Sequence, residues 1–342
     1  VTETTVATEL PGGPGGRTPR RPSLRFARLR DLALVPAIVV LLVIGTLVDP
    51  VFLTSGNLIN VLQQQTELSL LVLAEVLILI AGRLDLSLES TVGLAPAIAI
   101  ALVIPAASNG LGTELPAWTA LPLCLLAGVL IGCFNGLLVV RFGLSAFIVT
   151  LGMLIVLRGL QIGITEGQNL FDIPESFTYL GSTRWLGLPA SVWICAAAFA
   201  IGMVVLGSFR SGRALYAVGG NEDAARAGGI RVGRVVWGAL IAASTLAALA
   251  GVLMTGRLGS VAAAQGEGMI FTVFAAAVIG GVALSGGKGT VFGALCGVLV
   301  LGLVTNILTL GGVSAQWIQA IYGGIILAAL VLARLTTGRA QD

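Results

Sequence analysis

The chain is a succession of long apolar runs divided by short polar breaks. Runs of about 18 or more residues with few or no charges are long enough to cross a hydrocarbon core of roughly 30 Å as helices. Transmembrane strands would be about 10 residues long and alternate polar with apolar positions, whereas these runs are continuous. The pattern predicts an all-α, polytopic membrane protein of about ten transmembrane helices, at 32–52, 67–81, 87–107, 117–140, 145–165, 192–209, 235–255, 269–284, 290–310 and 315–335. The second and eighth are short enough to be half-helices, which would leave eight or nine full crossings. The segment SGNLINVLQQQT at 55–66 is too polar to cross and is expected at the outer surface.

Composition agrees with the pattern: 56% of the residues are hydrophobic, 10% are charged, and the mean hydropathy is +1.01. That is well beyond an ordinary soluble domain. Residues 1–31 differ, with the Pro-, Gly- and Arg-rich stretch PGGPGGRTPRRPSLRFARLR, and are expected to form a disordered basic cytoplasmic tail. The run that follows is longer than a signal-peptide core and lacks a small-residue cleavage pattern, so it is read as a retained first span. Residues 336–342 are expected to form a second cytoplasmic tail.

Charge placement orients the spans. With the tail inside, Arg83, Arg141, the cluster Arg210, Arg213, Arg226, Arg231 and Arg234, then Lys288, Arg334 and Arg339 all fall on the inner side. Outer loops keep only Arg184 and Arg257 against six acidic residues, so the positive-inside rule predicts both termini in the cytoplasm. An internal echo supports an even count. NGLLVVRFGLSAFIVTLG from Asn135 and NILTLGGVSAQWIQAIYG from Asn306 share Asn, then Gly-x-Ser-Ala, then an apolar run, on opposite faces, as a five-plus-five inverted repeat would give.

Candidate chemistry is sparse. There is no histidine, and Cys124, Cys133, Cys195 and Cys296 lie within apolar runs without paired spacing, which argues against zinc or haem chemistry. No Walker A pattern occurs; its nearest lookalike, GGVALSGGKGT, follows its Gly-Lys with Gly289. The many glycines, including those at 279–281, 285–289 and 322–324, read as packing devices that let backbones approach. Neither a His cluster nor a Ser-His-Asp set suggests a membrane enzyme.

The most distinctive polar stretch is GRALYAVGGNEDAARAGGI, 212–230. Asn221 is an N-cap, Glu222 and Asp223 suit the positive end of a helix dipole, and Gly228-Gly229 stops the helix. Helices below about 12 residues are marginal in water, so something must hold this one. It is either a solvated loop rich in helix formers or a docking element for a cytoplasmic partner. Asp85 is a carboxylate between apolar runs, with Arg83 as its expected partner and Ser87 as a cap for the following helix. It reads as an N-capped cytoplasmic turn or as a helix break lining a path. Asn135, Thr150, Arg158, Gln161, Asn306, Gln316 and Gln319 are candidates to line that path, with helix-to-helix hydrogen bonding as the competing role. Glu75, inside a span, needs a partner the sequence does not name.

Four stretches in order resemble a known family. GRALYAVGGNEDAARAGGI is similar to the cytoplasmic coupling segment in permease subunits of ABC importers of the ribose, xylose and galactose type. GRLDLSLES (82–90), NGLLVVRFGLSAFIVTLGMLIVLRG (135–159) and AAAVIGGVALSGGKGTVFGALCG (275–297) resemble further blocks of that family. Arg83 and Glu89 replace expected glycines, and Phe271 stands where the family often has Glu, with Glu267 upstream.

The resemblance implies a transmembrane permease domain at 32–335 with a cytoplasmic coupling loop at 210–234. Its partners would be a second permease copy or paralogue, ABC ATPase subunits, an extracytoplasmic solute-binding protein and the lipid bilayer, with no nucleic acid. It implies ATPase contacts at Gly219, Gly220, Asn221, Glu222, Ala225 and Gly228. Asp85, Ser87, Asn135, Thr150, Arg158 and Asn306 stand as the translocation path. The chain would hold no cofactor and would not be an enzyme; ATP and magnesium would belong to the partner ATPase. Its place would be the bacterial cytoplasmic membrane, as a multi-pass importer of a monosaccharide or sugar-like solute. An ion-coupled secondary transporter is the competing class. It accounts for buried carboxylates and an inverted repeat but not for a capped cytosolic helix.

Overall fold

The computed structural model describes residues 34–318, 320–324 and 327. The two expected tails lie outside them. Helix α1 is Val35–Val48, α2 Ser55–Ile80 and α3 Leu88–Ala101. Helix α4, Ala120–Gly136, runs into a π-helical turn at Leu137–Arg141 and is followed by α5, Ala146–Thr165. A short α6, Glu175–Ser182, and a two-stranded hairpin, β1 Arg184–Trp185 with β2 Leu188–Pro189, lead into α7, Ala190–Ser208. Then come α8 Arg210–Gly220, α9 Glu222–Ala227, α10 Val232–Leu258, α11 Met269–Ile279 and α12 Val291–Leu310. The described residues from Ala315 onward are helical again.

Six of these segments are long and apolar enough to cross a membrane: α2, α4 with its flanking turns, α5, α7, α10 and α12. Helix α2 is the centre, with 78% of its apolar window buried, against 28% for the peripheral α5 and α7. The rim displays large apolar side chains such as Val40, Ile155 and Ile201. This is what a hydrocarbon solvent allows, because it does not penalise their exposure. Against α10, the helix α4 presents Gly128, Gly132 and Gly136 at four-residue spacing. An added Cβ at Gly128 would sit 2.6 Å from the Ala248 Cβ, and one at Gly132 would sit 2.6 Å from the Ile241 Cα. The glycines are therefore what lets the two backbones approach.

Several boundaries differ from the expected ones. The second span begins at Ser55, not 67, and is one helix of 26 residues, about 39 Å long. Two residues of its polar first half find partners across the fold: Asn57 pairs reciprocally with Asn306 at 2.9 and 3.0 Å, and Gln63 donates to the Gly181 carbonyl at 3.1 Å. The short apolar helices are the first, α1, the third, α3, and the eighth, α11, of the expected ten. Helix α11 stops at Gly280-Gly281, and Gly281 has φ +79°. Helix α6 and the hairpin are additions in what reads as loop. Gly181 of α6 lies against Gly256 of α10, where an added Cβ would be 2.7 Å from the Gly256 carbonyl carbon.

Candidate functional site

The polar stretch at 212–230 folds into two short helices. Asn221 is extended and its side chain accepts from the Ala224 N–H at 2.9 Å, capping α9. The other end closes with Ile230 N–H to Ala225 O and Gly229 N–H to Arg226 O, both 3.0 Å. This is the double bond of a Schellman cap. The residue in the left-handed region is Gly229, at φ +83°, and not Gly228. Helix α2 ends in the same way, with Gly82 at φ +73° and Arg83 N–H on Ile78 O at 3.1 Å.

Three backbone segments meet at the end of α8. The carbonyl of Ile80, left without an intrahelical partner at the end of α2, accepts the Gly287 N–H at 3.0 Å. Gly219 of α8 covers that bond so closely that a Cβ would fall on the Ile80 oxygen and 2.7 Å from the Gly287 nitrogen. An added Cβ at Gly286 would lie 2.6 Å from the Gly82 Cα. Tyr216 donates its hydroxyl to the Gly289 carbonyl at 2.8 Å. The stretch SGGKG is thus a backbone junction that locks α8 to the turn after α2. Arg83 completes the lock: it reaches Glu222 at 2.6 Å, and Glu222 also holds Arg226 at 2.8 Å. A cavity of about 500 Å³ lies beside this pair, lined by Arg83, Glu222, Arg226, Ser145, Val139 and Val236.

This placement divides the six expected coupling residues. Gly219 and Ala225 face into the chain, and Glu222 is engaged by two arginines. Gly220, Asn221 and Gly228 are exposed, as are Asp223, Ala224 and Ala227. Arg83 also turns out to pair with Glu222 and not with Asp85, because the Schellman turn directs it toward α9.

Asp85, Ser87, Asn135 and Thr150 gather at the break between α2 and α3, all fully buried. The Ser87 side chain does not cap α3. Instead Asp85 Oδ1 accepts both the Ser87 N–H at 2.9 Å and the Ser87 hydroxyl at 2.6 Å. Asn135 of α4 donates to the Ser87 oxygen at 2.9 Å, and Thr150 of α5 donates to the Leu84 carbonyl at 3.3 Å. Glu75 finds its partner here, accepting the Asp85 N–H at 3.4 Å. One oxygen each on Glu75, Asp85 and Asn135 stays buried without a partner. This leaves an acceptor-rich core that ties three helices to one turn.

Arg158 belongs to a second cluster, between α5 and the short helices α3 and α11. It lies 3.5 Å from Glu89 of α3 and donates to the Gln265 carbonyl at 3.0 Å and to Gln161 Oε1 at 3.3 Å. Glu89 accepts the Ile270 N–H at 3.1 Å, so its charge sits on the N-terminal turn of α11, where the helix dipole favours an anion. The close approach expected of a glycine at 89 is supplied from the other side, since a Cβ on Gly266 would fall on the Glu89 carbonyl. Asn306 is apart from both clusters, on Asn57. Gln316 is exposed, and Gln319 lies outside the described residues.

Two participants escape the sequence reading. Gln265 is buried and donates to the Val92 carbonyl at 3.0 Å and to Thr255 at 3.2 Å. Arg257, expected in an outer loop, is in the last turn of α10 and binds buried Glu67 of α2 at 2.7 Å. Their only sequence signal is a polar or charged residue at the edge of an apolar run, which does not say with what it pairs.

Comparison with known proteins agrees with the membrane architecture. The family described as "Branched-chain amino acid transport system / permease component" matches residues 57–330. The ribose import permease protein of Escherichia coli (strain K12) is 34% identical over 300 residues, covering 86% of this chain and 91% of that protein. Its counterpart in Haemophilus influenzae is 32% identical over 301 residues, covering 87% and 90%. The autoinducer 2 import system permease protein of Klebsiella pneumoniae is 34% identical over 304 residues, covering 89% and 86%. Because the match spans most of both chains and includes the helix breaks and both short polar helices, this chain belongs to the family of permease components of ABC import systems, as a multi-pass protein of the inner membrane.

Proposed function

We propose that this chain is the transmembrane subunit of an importer that moves a monosaccharide or sugar-like solute inward, driven by ATP hydrolysis on a separate ATPase subunit. The observation that carries the reading is the clamp of α9 onto the α2–α3 break through Arg83 and Glu222. A six-residue helix gains little from its own hydrogen bonds, and this one is held by its neighbours with one side facing outward. In this reading the ATPase docks on the outward side, at Gly220, Asn221, Gly228 and their exposed neighbours, and binds ATP and magnesium itself. Inward-facing Gly219, Glu222 and Ala225 pass the movement on to α2, α3 and the loop before α12. ATP shifts the access equilibrium because the ATPase binds the two transporter conformations unequally.

The path follows the polar clusters. Ten spans with both termini cytoplasmic would place α3 and α11 third in each half of a five-plus-five repeat, and short helices at corresponding positions mark midplane sites in transporter folds. The repeat gains support from Gly143 and Gly312, which open the two Gly-x-Ser-Ala turns at φ +69° and +76°. Arg158, Glu89 and the acceptors around Asp85 supply charge-assisted and neutral hydrogen bonds suited to hydroxyl groups. The names of the relatives favour a sugar-like cargo, delivered by an extracytoplasmic binding protein to a pair of permeases.

The test is uptake of ribose and related sugars by proteoliposomes holding the full chain with its ATPase and binding protein. Uptake should require ATP and persist when ion gradients are collapsed. Uptake that survives ATP depletion and stops with an ionophore would instead establish an ion-coupled transporter.

A further inference from the structure

Two hollows lie one above the other on the same side of the molecule. The upper is an apolar cleft of about 620 Å³ at the level of the membrane-spanning helices. Its floor is α2, through Leu73 and Leu77; its walls are Ile194 and Ile201 of α7 and Ala242 and Leu249 of α10. The cleft stays apolar because its one hydroxyl, on Thr245, is turned back to the Ile241 carbonyl at 2.7 Å.

The lower hollow is an open groove, also of about 620 Å³, lined by Arg210, Arg213, Arg231 and Arg234 over a base that includes Ala214 and Val235. No acidic residue lines it. Among the described residues none of the four guanidinium groups has an ion-pair partner; Arg213 donates to the Ser208 carbonyl at 2.9 Å. The two hollows share the α10 wall, and the opposite wall passes from α7 in the cleft to α8 in the groove. Along α10, Val235 faces the groove and Ala242 the cleft, a separation of about 10 Å at 1.5 Å per residue. On the other wall Val205 lines the cleft and Arg210 the groove, with exposed Phe209 between them.

We infer that the groove and cleft together form a binding site for an anionic phospholipid, phosphate on the four arginines and an acyl chain between α7 and α10. A basic patch alone would follow from the positive-inside bias, and an apolar cleft alone could seat any lipid or helix. Their stacking selects a molecule with a negative head and an apolar tail in that order. Arginine suits the head, since its planar fork matches phosphate oxygens. A soluble phosphate would leave the cleft unused. The inference rests on the membrane placement of the chain and is independent of what solute it carries.

The test is native mass spectrometry of the full chain in detergent, titrated with phosphatidylglycerol or phosphatidylcholine of matched acyl chains. Wild type should retain phosphatidylglycerol about tenfold better. Arg210→Gln with Arg213→Gln, and separately Arg231→Gln with Arg234→Gln, should each remove most of that preference. Ala242→Phe, at an exposed cleft position, should lower retention of both lipids with the headgroup preference kept. Size-exclusion profiles and thermal midpoints near wild type establish that each variant is folded. Equal retention of the two lipids by wild type overturns the inference. So does an arginine pair whose loss releases the ATPase subunit while the lipid preference stands, which would assign the arginines to that contact. An Ala242→Phe variant that separates paired permeases without changing lipid retention would assign the cleft to the permease interface and would equally overturn the inference.

Discussion

Arg83 and Glu222 are separated by 139 residues of sequence and meet at 2.6 Å. Their pair joins the turn that ends α2 to the first turn of α9, so α9 cannot be pushed without load reaching the α2–α3 break. Both side chains are about one-third exposed, at 35% each, so the pair lies between a surface and a buried one. Its attraction is screened, and its net worth to stability is about 1 kcal/mol or less. Position matters more than strength here, because the bond is the side-chain link between an outward helix and a buried polar turn.

Replacing either partner should therefore uncouple more than it unfolds. Arg83→Gln and Glu222→Gln should each leave the thermal midpoint nearly unchanged while lowering transport-linked ATP hydrolysis several-fold. The double variant should be no worse than the singles, because residues acting as one link are not additive. Additive losses in ATP hydrolysis across this cycle would mean that the two residues act separately.

The glycine cap of α9 gives a sharper contrast. Gly229 holds φ +83°, where a β-branched side chain is costly, by about 1–2 kcal/mol. Gly228 has φ −75°, and an added Cβ there would meet only the Ala224 and Ala225 carbonyl oxygens at 3.4 Å. Gly229→Val should distort the end of α9 and impair coupling, whereas Gly228→Ala should transport normally unless the ATPase itself touches that position. Amide hydrogen exchange across 221–230, with and without the ATPase, separates the two effects: Gly229→Val raises exchange in the free permease, and Gly228→Ala does not.

Arg257 and Glu67 provide the test of buried charge. Glu67 is almost wholly buried, so Arg257→Ala would strand its carboxylate among apolar helices. Breaking a buried pair by removing one partner costs about 3–5 kcal/mol, unlike its replacement by apolar residues. Arg257→Ala should lower the thermal midpoint in detergent markedly, and Glu67→Leu with Arg257→Met should restore most of it. A single variant as stable as wild type would show that the carboxylate has another partner.

These residues also mark how far the sequence can be read. Helix existence was legible wherever an apolar run was long, as at 145–165 and 290–310, because burial in lipid imposes composition directly. The cap at Asn221 was legible because it is a local hydrogen bond. The start of α2 was not, since Asn57 and Gln63 look solvated until Asn306 and the Gly181 carbonyl come to them through tertiary packing. The candidate path residues were recognisable as polar, but their division into two clusters and an outlier depends on contacts such as Asn135 to Ser87, 48 residues apart. Glycine spacing hinted at close packing, yet Gly82, Gly219 and Gly286 lie in three separate segments, and no periodicity relates them.

That junction supports the last prediction. Gly219 and Gly220 are adjacent at the end of α8, and nothing in the order of residues there tells them apart. Their surroundings do. A methyl group on Gly219 would fall on the Ile80 carbonyl oxygen, which is already accepting the Gly287 N–H, whereas one on Gly220 meets nothing within 4 Å. Gly219→Ala must lift α8 away or break the Ile80–Gly287 bond. Overpacking costs about 1–3 kcal/mol, and a buried carbonyl left unpaired adds a similar amount. Gly220→Ala, on the exposed side of a helix end, should be neutral or slightly stabilising, by less than about 1 kcal/mol. Thermal unfolding of the two variants should differ in sign or by several degrees. Because the displaced element is the one that carries α9, Gly219→Ala should also hydrolyse ATP in the assembled importer with little transport. If it instead melts and transports like Gly220→Ala, the backbone contact between α8 and the end of α2 bears no load, and coupling must run through Arg83 and Glu222 alone.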